Sequence, residues 1–297
     1  MNKKLLAALA VIPLVALLAG CSGGSADGAA ASGSDKTVKI GVVGASDPYW
    51  DVYTKAAAAE GISVEIVDFA VFEQPNPALS AGELDLNQFQ HIVYLADYNV
   101  ASKSDLVPIG ATAIYPLGLY STTYDKVSEI KKGDTIAVPN DASNLARALL
   151  VLQSAKLVTL KDGGTIFSTL DDIDTGKSKV TVTALEASLT ATSLPDVAGA
   201  IINNDFVEKA GLKFSDALAQ DDPADPNALP YVNIFAARAE DKDNATYQKL
   251  VSIYQTTKAV QDGVLAVSGG SAELVQTPVA DLVSSLAKVE KDTAAHK

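Results

Sequence analysis

The 297-residue sequence holds one cysteine (Cys21), one tryptophan, one methionine, two histidines and two arginines. A lone cysteine excludes an internal disulfide and any metal site built on cysteine pairs. His91 is the only histidine outside the C-terminal tail, where His296 sits, so a serine–histidine or cysteine–histidine catalytic arrangement has little to draw on. No G-x-S-x-G elbow occurs, Gly269-Gly270-Ser271 lacks a strand–turn–helix context, and no phosphate-binding glycine loop is present. Positive charge is scarce: 23 lysines and arginines face 36 aspartates and glutamates, a net charge of −13. Such a surface does not suit nucleic acid. The acids Asp171, Asp172 and Asp174, and again Asp221, Asp222 and Asp225, lack the ligand spacing and glycine of a calcium loop and read as acidic surface loops. No metal, no cofactor and no enzymatic activity are expected.

The first twenty residues read as a targeting signal. Lys3 and Lys4 form a basic start, and Leu5 to Leu18 is an apolar run too short for a comfortable membrane span. Leu18-Ala19-Gly20-Cys21 matches a bacterial lipobox, which predicts lipidation of Cys21. The following segment, residues 21–36, is rich in glycine, serine and alanine without apolar periodicity and reads as a flexible tether. The expected location is the extracytoplasmic face of the cell membrane, with the protein held there through lipidated Cys21.

Beyond the tether, strands and helices alternate. Thr37 to Gly44, Ile62 to Phe69 and Leu106 to Ile114 read as strands, with helices near Asp51 to Glu60 and Tyr94 to Ser102. A second series follows: strands over Thr135 to Val138, Val180 to Leu185 and Ala198 to Asn203, with a helix near Leu145 to Ala155. Tyr231 to Ala237 is a further strand, and two helices, near Ala245 to Gln261 and Pro278 to Lys291, close the chain. The alternation predicts mainly parallel sheets with helices on their faces. Proline-bearing segments near Leu117 and before Pro230 flank the second series. This predicts an α/β protein of two lobes, the second inserted into the first: lobe 1 from residues 37–117 plus 231–297, lobe 2 from residues 118–230. The cleft between them is the expected ligand site.

Ile136 to Gln153 (IAVPNDASNLARALLVLQ) draws most attention. Asp141 or Ser143 can cap a helix that carries Arg147 in its first turns. A helix start favours an anion, and an arginine adds a planar fork matched to a carboxylate. An ordinary surface arginine on an amphipathic helix fits this stretch equally well. Of one tryptophan, ten tyrosines and seven phenylalanines, eight lie between Phe69 and Tyr124. Taken singly each reads as core; as a group at strand ends they suggest a cleft lined for an apolar ligand portion.

Several longer strings carry a family resemblance: LAGC at 18–21, EQPNPALSAGELDLNQFQHIVYL at 73–95, IYPLGLYS at 114–121 and VPNDASNLARALLVLQ at 138–153. Further on come LVTLKDG at 157–163, GAIINNDF at 199–206 and PYVNIFAAR at 230–238. With these, the chain resembles the methionine-binding lipoproteins of bacterial ABC importers, the NlpA/MetQ lipoprotein family, over essentially all of its sequence from about residue 38. The resemblance implies a two-lobed periplasmic-binding-protein (Venus-flytrap) fold that captures methionine, the L form expected, and delivers it to ABC importer permease subunits. It implies that Arg147 clamps the ligand carboxylate with Asn144 beside it. Phe89 and His91 would line the side-chain pocket, Phe72 and Tyr115 would complete it, and Asn203 and Asn233 would contact the ligand's polar ends. Phe72 stands where the family commonly has tyrosine, and INNDF replaces the usual INTxY. The same fold could instead bind another amino acid, a methionine-containing dipeptide or a sulfonate, or serve as a surface interaction protein with no transported ligand.

Overall fold

The computed structural model describes residues 37–225 and 228–296; the targeting signal, the tether and Cys21 lie outside them. The chain first makes β1 (Val38–Val42), α1 (Tyr49–Ala59), β2 (Val64–Asp68), α2 (Pro75–Ser80), β3 (Leu86–His91), α3 (Ile92–Ser102), β4 (Val107–Ala111) and the short β5 (Ala113–Ile114). It continues through β6 (Gly118–Tyr120), β7 (Thr135–Pro139), α4 (Ala142–Ser154), β8 (Thr181–Leu185), α5 (Ala187–Thr190), β9 (Gly199–Ile202), α6 (Asn204–Val207) and β10 (Ala219–Gln220). Finally come β11 (Asn233–Ala237), α7 (Ala245–Thr256), α8 (Lys258–Val267), β12 (Glu273–Leu274) and α9 (Val279–His296).

Two five-stranded sheets result, in the orders β2-β1-β3-β11-β4 and β10-β6-β9-β7-β8. The second sheet is drawn wholly from the segment between β5 and β11, so one α/β lobe is inserted into the other. Four strands of each sheet run the same way. The exceptions are β11, antiparallel to β3 and β4, and β6, antiparallel to β9 and β10. The reason is geometric. Each reversed strand is the first the chain enters after crossing between lobes, so it starts at the cleft and must run away from it. The carboxyl ends of β3, β7 and β9 and the amino ends of β6 and β11 therefore meet at the cleft, where open α/β sheets hold their ligands.

Helices cover both faces of the first sheet. Trp50 and Tyr53 of α1, Phe235 of β11 and Tyr254 of α7 form an aromatic core on one face. Leu79, Ile92, Leu95, Leu282 and Leu286 fill the other. In the second lobe Ile136, Val138, Leu149, Leu152 and Ile201 pack against one another, each buried side chain of this size contributing about 1.5–3 kcal/mol. A further apolar cluster joins the lobes, with Val43, Phe72 and Phe89 against Tyr120, Ile202 and Phe206.

Three helices, not two, follow β11. The stretch expected as one helix from Ala245 to Gln261 breaks at Thr257, whose φ of −78° and ψ of 104° are not helical. The carbonyl of Gln255 is turned away from a helical partner and accepts instead from the amides of Gln261 and Gln276. These side chains offer the backbone an alternative to the helix ladder.

Gly110 of β4 passes directly beneath α7: a Cβ placed there would stand 2.2 Å from Cγ1 of Val251. The β-branched valine has little rotamer freedom with which to retreat. Gly110→Ala is expected to cost about 1–3 kcal/mol through overpacking, seen as a lower urea midpoint at unchanged slope.

Candidate functional site

Three polar side chains set the position of β3 before any site residue is reached. Asn76 of α2 and Gln90 of β3 exchange amide hydrogen bonds, Nδ2 to Oε1 at 2.7 Å and Nε2 to Oδ1 at 2.6 Å. Asn87 donates to Asn76 Oδ1 at 2.9 Å and accepts from Gln90. All three are buried, and a buried amide set of this kind holds only if its members satisfy one another. Further along β3 the register against β11 jumps: Gln88 faces Phe235, Gln90 faces Ile234, and Phe89 is left over as a bulge. A bulge re-aims the side chain it carries, and Phe89 points into the interlobe space. His91 then ends the strand and caps α3, its Nδ1 accepting from the Tyr94 amide at 3.1 Å.

The second lobe presents the start of α4. Of the two possible caps, Asp141 takes the role: its Oδ1 accepts from the Asn144 amide at 2.9 Å and from Ser143 Oγ at 3.1 Å. The helix start is thus already neutralised by the protein's own carboxylate, and the anion-favouring position is filled. Asp141 also accepts from Asn144 Nδ2, which turns Asn144 Oδ1 toward the cleft. That oxygen accepts from Asn203 Nδ2 at 3.2 Å and from His91 Nε2 at 3.3 Å, the latter across the cleft. Since Nδ1 of His91 is an acceptor, its proton sits on Nε2.

Arg147, one turn further along α4, is 5% exposed and does not wait unpaired for a ligand. Its Nε donates to Asp221 Oδ2 at 2.5 Å, its Nη2 donates to the Tyr115 carbonyl at 2.8 Å, and its Cζ lies 4.5 Å from the centre of the Tyr231 ring. Asp221 was expected to be a surface acid; it is the arginine's counter-ion. Nη1 has no hydrogen-bond partner among the described residues.

One cavity lies where these elements meet. All eight residues singled out from the sequence line it: Phe72, Phe89, His91, Tyr115, Asn144, Arg147, Asn203 and Asn233. One end is aromatic. Phe72, Phe89 and Tyr94 form a cup with ring centroids 5.6–6.2 Å apart, and Phe206 of the other lobe closes on Phe72 at 5.3 Å. The other end is polar and carries one base, Arg147, and one acid, Asp205. Tyr94 belongs to the aromatic cluster that suggests a lined cleft but is not singled out from the sequence, and Asn204 and Asp205 are missed; the one local signal for these two is that they directly follow Asn203. A buried arginine needs a partner, and that requirement would have directed attention to Asp221.

The electrostatics follow burial. His91 is pushed down to about 3, first by desolvation and then by the Arg147 charge. Asp205 is pushed up to about 7, chiefly by burial, with Lys209 opposing. An apolar cup facing a polar end with one group of each sign suits a small zwitterion with an apolar side chain, whose charges must both be met once it leaves water.

Two α/β lobes facing each other across such a cleft, one inserted in the other, define the periplasmic-binding-protein (Venus-flytrap) fold. The chain belongs to the NlpA lipoprotein family, whose model matches residues 38–272. It is 38% identical to outer membrane lipoprotein 1 of Mannheimia haemolytica, over 88% of this chain and 95% of the relative. It is 36% identical to the D-methionine-binding lipoprotein MetQ of Yersinia pestis, over 80% of this chain and 88% of that protein. A nutrient-binding protein from Burkholderia cenocepacia, solved bound to methionine, superposes with a TM-score of 0.73 at 34% identity, covering 80% of this chain and 99% of that one.

His91 supplies a pH prediction. The unfolded chain takes up this proton near 6.5 and the folded chain only near 3, so the unfolded state binds more protons between those values. The residue's contribution to stability is complete above about 6.5 and is lost as pH falls toward 3. In an NMR titration from pH 8 to 5 the His91 ring carbons should stay at their neutral, Nε2-protonated shifts.

Proposed function

We propose that this protein is a lipid-anchored solute-binding protein that captures methionine between its lobes and presents it to the permease subunits of an ABC importer. On this reading residues 37–117 and 231–297 form lobe 1 and residues 118–230 form lobe 2. The membrane is reached through lipidated Cys21. No reaction is catalysed; the work done is binding and hand-over. The observation that carries the proposal is one interlobe cavity lined by all eight expected residues, with an aromatic cup at one end and a buried arginine at the other. A thioether gains from aromatic edges, which suits the Phe72, Phe89 and Tyr94 cup. Nη1 of Arg147 remains to meet a carboxylate, with the Asn144, Asn203 and Asn233 amides around it. The relative bound to methionine and the relative named for D-methionine support the choice of ligand.

Calorimetric titration of the full-length protein with L-methionine and D-methionine tests the reading, and tight, stoichiometric binding of the L form is expected. Arg147→Ala should weaken it by about a hundredfold or more, because the ligand carboxylate would then be buried without its partner. Phe89→Ala, which leaves the Asp221 contact intact, should weaken it about tenfold or more. Retained affinity in both variants would sink the site assignment.

A further inference from the structure

Between α4 and β8 the second lobe carries a loop, residues 160–173, whose shape is set by its own bonds. Leu160 and Ile173 pair in an antiparallel bridge that closes its base. Gln153 of α4 fixes its first turn, Oε1 accepting from the Leu160 amide at 2.9 Å and Nε2 donating to the Gly163 carbonyl at 2.7 Å. Gly163 and Gly164, with φ of 83° and 76°, make a bend that other residues resist. Beyond it Ser168 Oγ accepts from the Thr165 amide at 2.8 Å and Thr165 Oγ1 from the Phe167 amide at 3.1 Å. Thr169 and Asp172 then form a capping box. These bonds all lie within the second lobe, so they hold the loop in shape on α4 independently of the first. Its tip nevertheless rests on the first lobe. Ile166 packs against the apolar cluster that includes Leu282, Leu286 and Val289 of α9. Phe167 stacks on His296 in the last turn of α9, with ring centroids 4.2 Å apart and planes 22° from parallel. The His296 ring is itself fixed, Nδ1 donating to the Asp292 carbonyl at 2.7 Å. Beside the tip a cavity separates the lobes, with Asn140, Leu145 and Ser168 on one side and Asp97 and Thr293 on the other. The loop therefore bridges a gap, and its tip carries the contact.

We infer that residues 160–173 form a strap whose tip, Ile166 and Phe167, latches the second lobe onto α9 and so slows the release of a solute that the strap never touches. The inference rests on the solute-binding reading of the cleft. Residues 160–173 are absent from the walls of the solute cavity, so the strap acts on the lobes and not on the solute. A contact that exists only while the lobes are together favours that state by its own free energy, whatever the cleft holds. Because the strap is already ordered on α4, docking it costs little conformational freedom, and a tip of two apolar side chains suffices. The latch also pulls on the right element: Gln153 ties the strap to the helix that carries Arg147.

Stopped-flow dissociation of L-methionine from the full-length protein tests the latch. Phe167→Ala and His296→Ala should each raise the dissociation rate about three- to tenfold. The double variant should release no faster than either alone, since both changes remove one contact. A purely structural strap would give no such coupling. Without added solute, the His296 ring protons should move downfield in Phe167→Ala, because they lose the shielding of the stacked ring. His296→Ala, at an exposed helix end, carries the rate measurement should Phe167→Ala fail to fold. Unchanged dissociation in His296→Ala, multiplying effects in the double variant, or unmoved His296 signals in Phe167→Ala overturns the latch while the solute reading stands. Failure of the unaltered protein to bind methionine overturns that reading instead, and the docking of the strap is then decided by the ring-proton shift alone.

Discussion

The pairing of Arg147 with Asp221 is the contact on which the arrangement of the cleft depends. A guanidinium taken out of water costs several kcal/mol unless its charge and its N–H groups are met. Here the charge, Nε and Nη2 are met by both segments that join the lobes. Asp221 follows β10 on the return crossing, and its second oxygen accepts from the Leu117 amide at 2.8 Å on the outward crossing. Tyr115, also on the outward crossing, gives its carbonyl to Nη2. One arginine on α4 thus fastens two segments about a hundred residues apart in sequence and sets the spacing of β6 and β10 at the base of the cleft. Tyr231, just before β11, lies between the Arg147 cation and the His91 ring, whose centroid is 5.4 Å away. Removing either member of the ion pair would leave the other charge buried and would loosen both crossings at once.

Around His91 the cleft is built from neutral contacts. Asn144 is held from behind by Asp141 and reaches His91 and Asn203 with a single oxygen. Desolvation keeps His91 neutral, so the polar contact between the lobes at this point is a neutral hydrogen bond of 3.3 Å. Such a bond adds on the order of 1 kcal/mol. The charged groups of the cavity wall, Arg147 and Asp205, both lie at its polar end, opposite the aromatic cup.

Much of this was legible in the sequence, and the limits have a physical origin. Apolar runs and turn residues located β1, β7, β9 and β11 to within a residue or two, because strand periodicity is local. The same holds for the capped start of α4 and for Arg147 in its first turns. The inserted second lobe followed from two proline-bearing crossings around a complete βα series. Long-range partnerships were not local and were not seen. Asp221 shares a string with Asp222 and Asp225, and nothing in that string says which one turns inward. Asn76, Asn87 and Gln90 read as part of a family string, whereas their task is to hold β3 under α2. The break at Thr257 depends on amides from Gln261 and Gln276, one of them in the loop before α9. The Phe89 bulge is defined only against β11, far along the chain.

The contacts between lobes bear on how the proposed capture would work. The lobes share the Phe72, Phe89 and Phe206 cluster, the His91 to Asn144 bond, and a stack of Phe167 on His296 at 4.2 Å. The first two of these are neutral contacts. A solute shifts an opening equilibrium only by the difference in its affinity for the two states. A zwitterion whose carboxylate meets Arg147 in lobe 2 and whose side chain enters the Phe72, Phe89 and Tyr94 cup in lobe 1 completes both sets of contacts only when the lobes are together. On the proposed reading closure and solute recognition are the same event in this cleft: a carboxylate held by Arg147 and a side chain held in the aromatic cup join one lobe to the other.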